Sequence, residues 1–495
     1  MPSTEPSDPI FEPPATDANA VVLVVDLDET LSKTDTLHEA LLRLLVTKPA
    51  SLVACAKTLS SGKAAFKRSV ADQFVVAGHE LPINQNVLDL INEARDQGRE
   101  VVLASASDQR QVDAIADHLG VFSAAFGTKS DESDAVNLSG QAKADFLVQT
   151  YGEGGFDYVG DCATDLPVWA VARTAYSTKI SNSLNAQAAA QNTVLTKVPG
   201  EAVSALKPYV KALRPHQWVK NILVFLPMLS AHELGHFLTV LLAFVLFSMA
   251  ASSVYIFNDL VDLPSDRMHP RKSRRPFASG SIPISHGLLL GTALVLSSIV
   301  VSYLWMSAQF FGVLMFYLVL TSLYSFYLKR KLLVDIITLA GLYTLRIIAG
   351  GLAVGIVPSP WLLAFSMFLF FSLAATKRLA ELVDQSLNDK DASPGRGYLT
   401  DDRSVISSIS ITSGQGAVLV FALYIYSPSV ADLYAAPHIL WLICPILLYW
   451  LSRIAVLTHR GFMDDDPIVF AVKDKISLVT AVLVAIVVFW AERGI

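Results

Sequence analysis

Residues 255–276 read YIFNDLVDLPSDRMHPRKSRRP. An apolar run ends there, aspartates follow at 259, 262 and 266, and five Lys or Arg residues come next. Asn258, Asp262 and Asp266 are spaced i, i+4, i+8, so on a continuing helix they share one face, with Asp259 beside them. A solvated helix end is the plainer reading. Against it, carboxylates stacked a turn apart repel each other, and ionisable groups at membrane depth mark functional sites. A divalent cation removes both objections. Mg²⁺ takes one or two carboxylates together with the phosphate oxygens of a substrate. Arg267, Arg271, Lys272 and Arg275 then supply partners for further phosphate oxygens.

The apolar run is one of several. The chain has 495 residues, 53% of them hydrophobic, with a formal net charge of −6. That is too apolar for an ordinary soluble enzyme, and the near-balanced charge argues for no nucleic-acid partner. Charges are spread through residues 1 to about 205, whereas 217–492 is a series of apolar runs. Stretches of about 17–25 apolar residues place spans near 237–257, 287–307, 310–328, 332–355, 360–376, 405–427, 438–457 and 476–492. The basic loop 258–286 belongs on the cytoplasmic side. The N-terminal 1–19, rich in Pro, Ser and acids and lacking a basic apolar signal, reads as a disordered tail, which keeps the soluble half cytoplasmic too. Two crossings are then needed between them, so WVKNILVFLPMLSA (218–231) is expected to be a further span, nine in all. The chain is thus expected to be a multi-pass protein of a bacterial-type inner membrane. Lys220 and Asn221 on that first span, and Arg346 in the middle of another, should face a bundle cavity and an anion. The cysteines, Cys55, Cys162 and Cys444, lie too far apart to suggest a disulfide framework or a metal cluster.

The soluble half carries a second pattern. VVLVVDLDETLSKTDTL (21–37) is an apolar strand ending in D-x-D-x-T, and VVLASAS (101–107) is a strand reaching Ser105. Lys143 lies in GQAKADFL, and FDYVGDCATD (156–165) is a strand ending in G-D-x-x-x-D. Strands ending in polar loops and alternating with helices predict a doubly wound, Rossmann-like α/β sheet with its site at the strand carboxyl ends. Residues 181–210, polar and rich in small side chains, read as a linker.

The ordered quartet of motifs over about 20–180 resembles the haloacid dehalogenase (HAD) phosphatases. The resemblance implies that Asp26 is the nucleophile and that Asp28 protonates the leaving oxygen and then activates water. It further implies that Thr30, Ser105 and Lys143 hold the phosphoryl group, and that Mg²⁺ sits on Asp26, the carbonyl of Asp28, and Asp161, with Asp165 in support. The largely helical insert 36–82 would be the cap. In the apolar half, NDLVDLPSD resembles the first aspartate-rich motif, N-D-x-x-D-x-x-x-D, of the UbiA superfamily of intramembrane prenyltransferases. That implies an all-α membrane domain over 211–495, with Mg²⁺ on Asn258, Asp259, Asp262 and Asp266.

LRPHQWVKNILVFLPML (213–229), DRMHPRKSRRPFASG (266–280) and VDIITLAGLYTLRIIAGG (334–351) are similar to the polyprenyl-phosphate phosphoribosyltransferase branch. Its substrates are phosphoribosyl diphosphate (PRPP) and a polyprenyl phosphate lipid. The later stretch TKRLAELVDQ (376–385) departs from the superfamily's second aspartate-rich motif. Lys377 and Arg378 precede Glu381 there, which suits a lipid monophosphate better than a second metal-bridged diphosphate. The expectation is a bifunctional membrane enzyme, with the phosphatase removing the 5-phosphate of a lipid-linked ribose. The competing expectation is an aromatic prenyltransferase fused to an independent phosphatase. A homo-oligomer is left open.

Overall fold

The computed structural model describes residues 21–129, 137–199, 206–387, 397–427, 433–463 and 466–494. The expected N-terminal tail lies outside the described residues. The chain forms two compact units, one of residues up to Tyr209 together with Asp259–Gly287, the other of Val210–Asn258 and Leu288 onward.

In the first unit, six parallel strands lie in the order β3-β2-β1-β4-β5-β6. They are β1 (Val22–Val25), β2 (Val101–Asp108), β3 (Ala124–Thr128), β4 (Phe156–Gly160), β5 (Ala175–Ser177) and β6 (Leu195–Lys197). The all-buried VLVV run of β1 suits a strand covered on both faces. Side chains alternate between two cores, Leu23, Val25 and Leu103 in one and Val24, Val102 and Tyr158 in the other. After β3 the chain returns to the opposite side of β1, and that reversal opens a crevice at the carboxyl ends of β1 and β4. The insert 36–82 carries the helices Thr36–Thr47, Pro49–Lys57 and Lys63–Gln73.

The stretch expected as a linker from 181 instead continues this sheet. Ser181 caps the helix Asn182–Ala190 by accepting from Leu184 N, and β6 pairs with β5. The helix is built of small residues and the strand has only three, so neither shows a periodicity that sequence reading can use.

The second unit is helical. Eight helices in the described residues are long and apolar enough to cross a membrane: Leu234–Val261, Ile284–Trp305, Ala308–Phe326, Val334–Val354, Pro360–Leu387, Thr400–Ile425, Pro437–His459 and Lys475–Arg493. The ninth expected span does not form such a helix. Pro215–Phe225 is 3₁₀ and is followed by the short α-helix Leu226–Ser230. The helix Val334–Val354 lies so close to the segment that a Cβ on Gly350 would stand 1.9 Å from the Val224 carbonyl oxygen. A 3₁₀ segment also rises about 2.0 Å per residue against about 1.5 Å in an α-helix, so it covers more length than its residue count suggests.

Candidate active sites

Three adjacent strands of the first unit end at one place. The Asp26 N–H still bonds to Val159 O (3.0 Å) at the end of β1. The chain then turns tightly through Leu27–Leu31, with Glu29 at φ 55° and Leu31 N returning to Asp26 O (3.2 Å). Lys143, on the helix Gln141–Tyr151, donates to Asp26 Oδ1 (2.6 Å) and to the Tyr158 hydroxyl (2.9 Å). Tyr158 donates to Asp165 Oδ1 (2.8 Å), and Thr30 Oγ1 lies 3.5 Å from Asp26 Oδ2. Asp161, just past β4, donates its N–H to Asp165 Oδ2 (3.1 Å). Asp28 points to a neighbouring set of donors. It accepts from Thr36 N and Oγ1 (both 2.7 Å), Ser107 Oγ (2.7 Å) and Ser105 Oγ (3.3 Å).

The seven side chains that the motifs singled out thus fall into two neighbouring hydrogen-bonded sets, Asp26, Thr30, Lys143, Asp161 and Asp165 in one and Asp28 with Ser105 in the other. Tyr158, Thr36, Ser107 and Lys179 escaped sequence reading. Lys179 donates to Asp161 Oδ2 (3.0 Å) and Glu29 (2.5 Å) from a loop that no motif marks. Gly160 is needed for close approach, because a Cβ there would stand 2.5 Å from Asp165 Oδ2.

The donor set fits a hard dication. Burial pushes the Asp26 carboxyl up to about 7 against the pull of Lys143, and burial also raises Asp161 against Lys179. Buried carboxylates held above their ordinary range are stabilised by added positive charge. Asp26 and Asp161 offer oxygens. Asp165 has Oδ1 taken by Tyr158 and Oδ2 by the N–H groups of Asp161 and Cys162 (3.4 Å), so its place is behind them. The exposed Cys162 thiol lies beside these carboxylates, but hard cations prefer oxygen.

The aspartate-rich segment does not continue as one helix. Phe237–Val261 ends, and Asp262 is the N-cap of a second short helix, Leu263–Met268, which has Pro264 in its first turn. Proline has no N–H and its ring clashes with the preceding turn, so the single face expected for Asn258, Asp262 and Asp266 is broken. One guanidinium nitrogen of Arg275 bridges Asp259 Oδ1 (3.1 Å) and Asp266 Oδ2 (2.6 Å). A positive charge thus already sits between two motif carboxylates, which is what a bound cation would supply.

Arg267 corrects a sequence expectation. It donates to Glu39 (2.5 Å), Glu80 O (2.7 Å) and Ala278 O (3.2 Å), so its charge is already paired within this unit, where the sequence suggested a group free for a substrate phosphate. Arg271 and Lys272 are exposed. In the second unit, Asn258 donates to Ser325 Oγ (3.0 Å).

That unit sorts the other charged candidates into three groups. Lys220 pairs with Asp466, and Lys377 Nζ lies 3.6 Å from the same carboxylate oxygen. Asp466 Oδ1 meanwhile caps Pro467–Lys473 through Ile468 N (3.1 Å) and Val469 N (3.4 Å). Two ammonium groups from separate elements thus share one carboxylate and leave a positive charge in excess. Arg346 and Asn221 are partners of each other (2.8 Å), and Arg346 also donates to Tyr317 (3.1 Å) and Leu342 O. These contacts use three of its five N–H donors.

Arg378 is fully buried. It pairs with Asp335 (2.8 Å) and Glu381, and Tyr398 donates to Asp335. The expected Lys377–Arg378 pair is therefore divided, because consecutive residues on a helix point about 100° apart. Removing one partner of a buried ion pair typically costs roughly 3–5 kcal/mol. Arg378→Met should accordingly lower the thermal unfolding midpoint in detergent well below that of Lys377→Met. Equal midpoints would return Arg378 to the list of ligand residues. An apolar cavity of about 420 Å³ also lies in this unit, lined by residues that include Leu226, Trp361, Phe365, Phe421, Leu447 and Val488.

The chain is similar to several known proteins. A protein of Sinorhizobium fredii, "Uncharacterized protein y4nM", is 36% identical over 467 residues, covering 94% of this chain and 89% of the relative. The decaprenyl-phosphate phosphoribosyltransferase of Mycolicibacterium smegmatis is 38% identical over 191 residues, 37% of this chain and 59% of that protein. The crystal structure of a HAD family hydrolase from Salmonella enterica serovar Typhi is similar over 33% of this chain and 64% of its own, with 15% identity and a TM-score of 0.27. The pattern described as the UbiA prenyltransferase family matches residues 222–473, a stretch that contains both the broken aspartate-rich helix and the carboxylate of Asp466 with its partner Lys377. On that match, this chain belongs to the UbiA prenyltransferase family.

Proposed function

We propose that the chain is a bifunctional membrane enzyme of lipid-linked ribose synthesis. Its transferase part moves 5-phosphoribosyl from PRPP to a polyprenyl phosphate. Its α/β part then removes the 5-phosphate. The observation that carries the acceptor assignment is the convergence of Lys220 and Lys377 on Asp466, two cations against one anion. A lipid monophosphate matches that excess charge, and 376–385 offers no second aspartate-rich motif for a prenyl diphosphate. The relatives named decaprenyl-phosphate phosphoribosyltransferase support PRPP as donor. The apolar cavity suits the isoprenoid tail.

In the transfer step, a lipid phosphate oxygen attacks ribose C1 and diphosphate leaves. Asn258, Asp259, Asp262 and Asp266 would hold Mg²⁺, which when bound neutralises charge on the departing diphosphate. Lys220 and Lys377 would orient the acceptor phosphate, so catalysis rests on positioning and electrostatics. No side-chain nucleophile is required.

In the second step the Asp26 carboxylate attacks phosphorus and forms an aspartyl-phosphate. Asp28 protonates the departing ribose oxygen and then takes a proton from the hydrolytic water. Thr30, Ser105 and Lys143 steady the phosphoryl oxygens. Asp26, Asp161 and the main-chain carbonyl of Asp28 would hold the metal, supported by Asp165. Both sites are assigned to the cytoplasmic side of a cell membrane.

The test is incubation of the purified chain with PRPP labelled in the ribose and a polyprenyl phosphate, followed by lipid extraction. Label should enter the lipid phase only when both substrates are present. Lys220→Met and Lys377→Met should each raise the apparent KM for the lipid more than that for PRPP. Charge-assisted contacts are worth roughly 1.5–3 kcal/mol, so about a tenfold or larger rise is expected. An unchanged lipid KM in both variants would remove the acceptor assignment from the two lysines.

A further inference from the structure

One cation of the first unit is not used by the phosphatase mechanism. Lys67, on the insert helix Lys63–Gln73, reaches back to the strand side of the site. Its Nζ donates to Ala106 O (2.6 Å) and Asn137 Oδ1 (3.1 Å). Ala106 lies between Ser105 and Ser107, the two serines that donate to Asp28.

The side chain lines a narrow, open cleft together with Thr36, Leu37, Phe74, Ser107 and Gln111. Both acceptors of Lys67 are neutral. Among the described residues no carboxylate forms an ion pair with it, although Asp28, Asp35 and, more weakly, Asp26 are close enough to act on it electrostatically. Asp28 already accepts four hydrogen bonds, from Thr36 N, Thr36 Oγ1, Ser105 and Ser107, so it has little capacity left for a further donor. Asp108, in the same cleft, is engaged by Arg110 (2.8 Å). Burial lowers the Lys67 pKa, the usual response of a half-buried ammonium without a directly paired anion.

We infer that Lys67 is a specificity residue of the phosphatase site, selecting phosphomonoesters that carry a second anionic group on the alcohol side. The inference rests on the phosphatase reading above and narrows its substrate class. An ammonium in a narrow cleft gains most from an anion that arrives with the substrate, because desolvation strengthens the pair. A neutral alcohol leaves the charge where it was. Lipid-linked phosphoribose has this character, since its 5-phosphate ester shares the ribose with an anionic phosphodiester at C1. The apolar side chains of Leu37 and Phe74 leave Lys67 as the ionic contact on that wall of the cleft.

Two soluble substrates test this with the full chain: ribose 5-phosphate, and the same compound bearing a methyl phosphodiester at C1. Phosphate release from the diester-bearing compound should exceed that from ribose 5-phosphate by about tenfold or more in kcat/KM, the scale of one charge-assisted contact. Lys67→Gln keeps a donor for Ala106 O but removes the charge, and it should bring that ratio close to one, chiefly through KM. Lys67→Arg should restore most of it. A wild-type ratio near one, or equal loss on both substrates in Lys67→Gln, would overturn the assignment. Equal loss would place Lys67 on the transferred phosphoryl group itself. Failure of the wild type to release phosphate from either compound, or from p-nitrophenyl phosphate, would remove the phosphatase reading and this inference with it.

Discussion

Asp26→Asn is expected to leave the extracted lipid product one phosphate heavier than the wild-type product. An amide cannot attack phosphorus as a carboxylate does, and it also withdraws a negative metal ligand from the cluster. Loss of a nucleophile of this kind costs on the order of 10³-fold or more. Lys143 would keep a hydrogen-bond acceptor in the carbonyl oxygen of the new amide, but it would lose the ion pair with Asp26 that now holds it at 2.6 Å. Ribosyl transfer uses none of these groups and should continue. Mass spectrometry of lipid from wild type and variant reads the difference directly. If both lipids retain the phosphate, the α/β site acts on some other ester and the coupled sequence fails, while each single assignment could still stand.

Asp262→Asn should do the reverse, abolishing label transfer from PRPP while phosphate release from p-nitrophenyl phosphate stays near the wild-type rate. Asp262 suits this test because Arg275 bridges the other two aspartates, Asp259 and Asp266, and that ion-paired arrangement survives the substitution. The Asp262 side chain makes no capping hydrogen bond to Leu263–Met268, so the local backbone should hold without its charge. Weakening a metal-binding carboxylate next to a leaving diphosphate should cost roughly a hundredfold or more in transfer. Full transfer activity in a folded Asp262→Asn protein would move the diphosphate away from this motif. Loss of both activities would show that the two reactions share a site.

Arg378 shows where local reading and structure part. Next to Lys377 in sequence, it looks like half of a phosphate clamp. In the fold it is closed off by Asp335 and Glu381, and Asp335 comes from a different helix. Arg267 follows the same logic, since the basic run that contains it is legible but its commitment to Glu39 is not.

The residues alone were enough for the broad architecture. A buried β-branched run followed by D-x-D-x-T, later strands ending in Ser105 and in G-D-x-x-x-D, and a series of apolar runs specify a parallel α/β unit and a helical membrane unit. Those signals are local, because strand and span patterns repeat within a few residues and motif side chains ride on the strand ends that carry them. Tertiary structure decided the partners. Tyr158 linking Lys143 to Asp165, Lys179 on Asp161, and Asp466 between Lys220 and Lys377 depend on which elements meet, and Lys220 and Asp466 are 246 residues apart. The close approach of Gly350 to the main chain of Val224 belongs to the same class. Charge type and periodicity are written along the chain, whereas pairing is set by packing across it, and no short-range pattern encodes that.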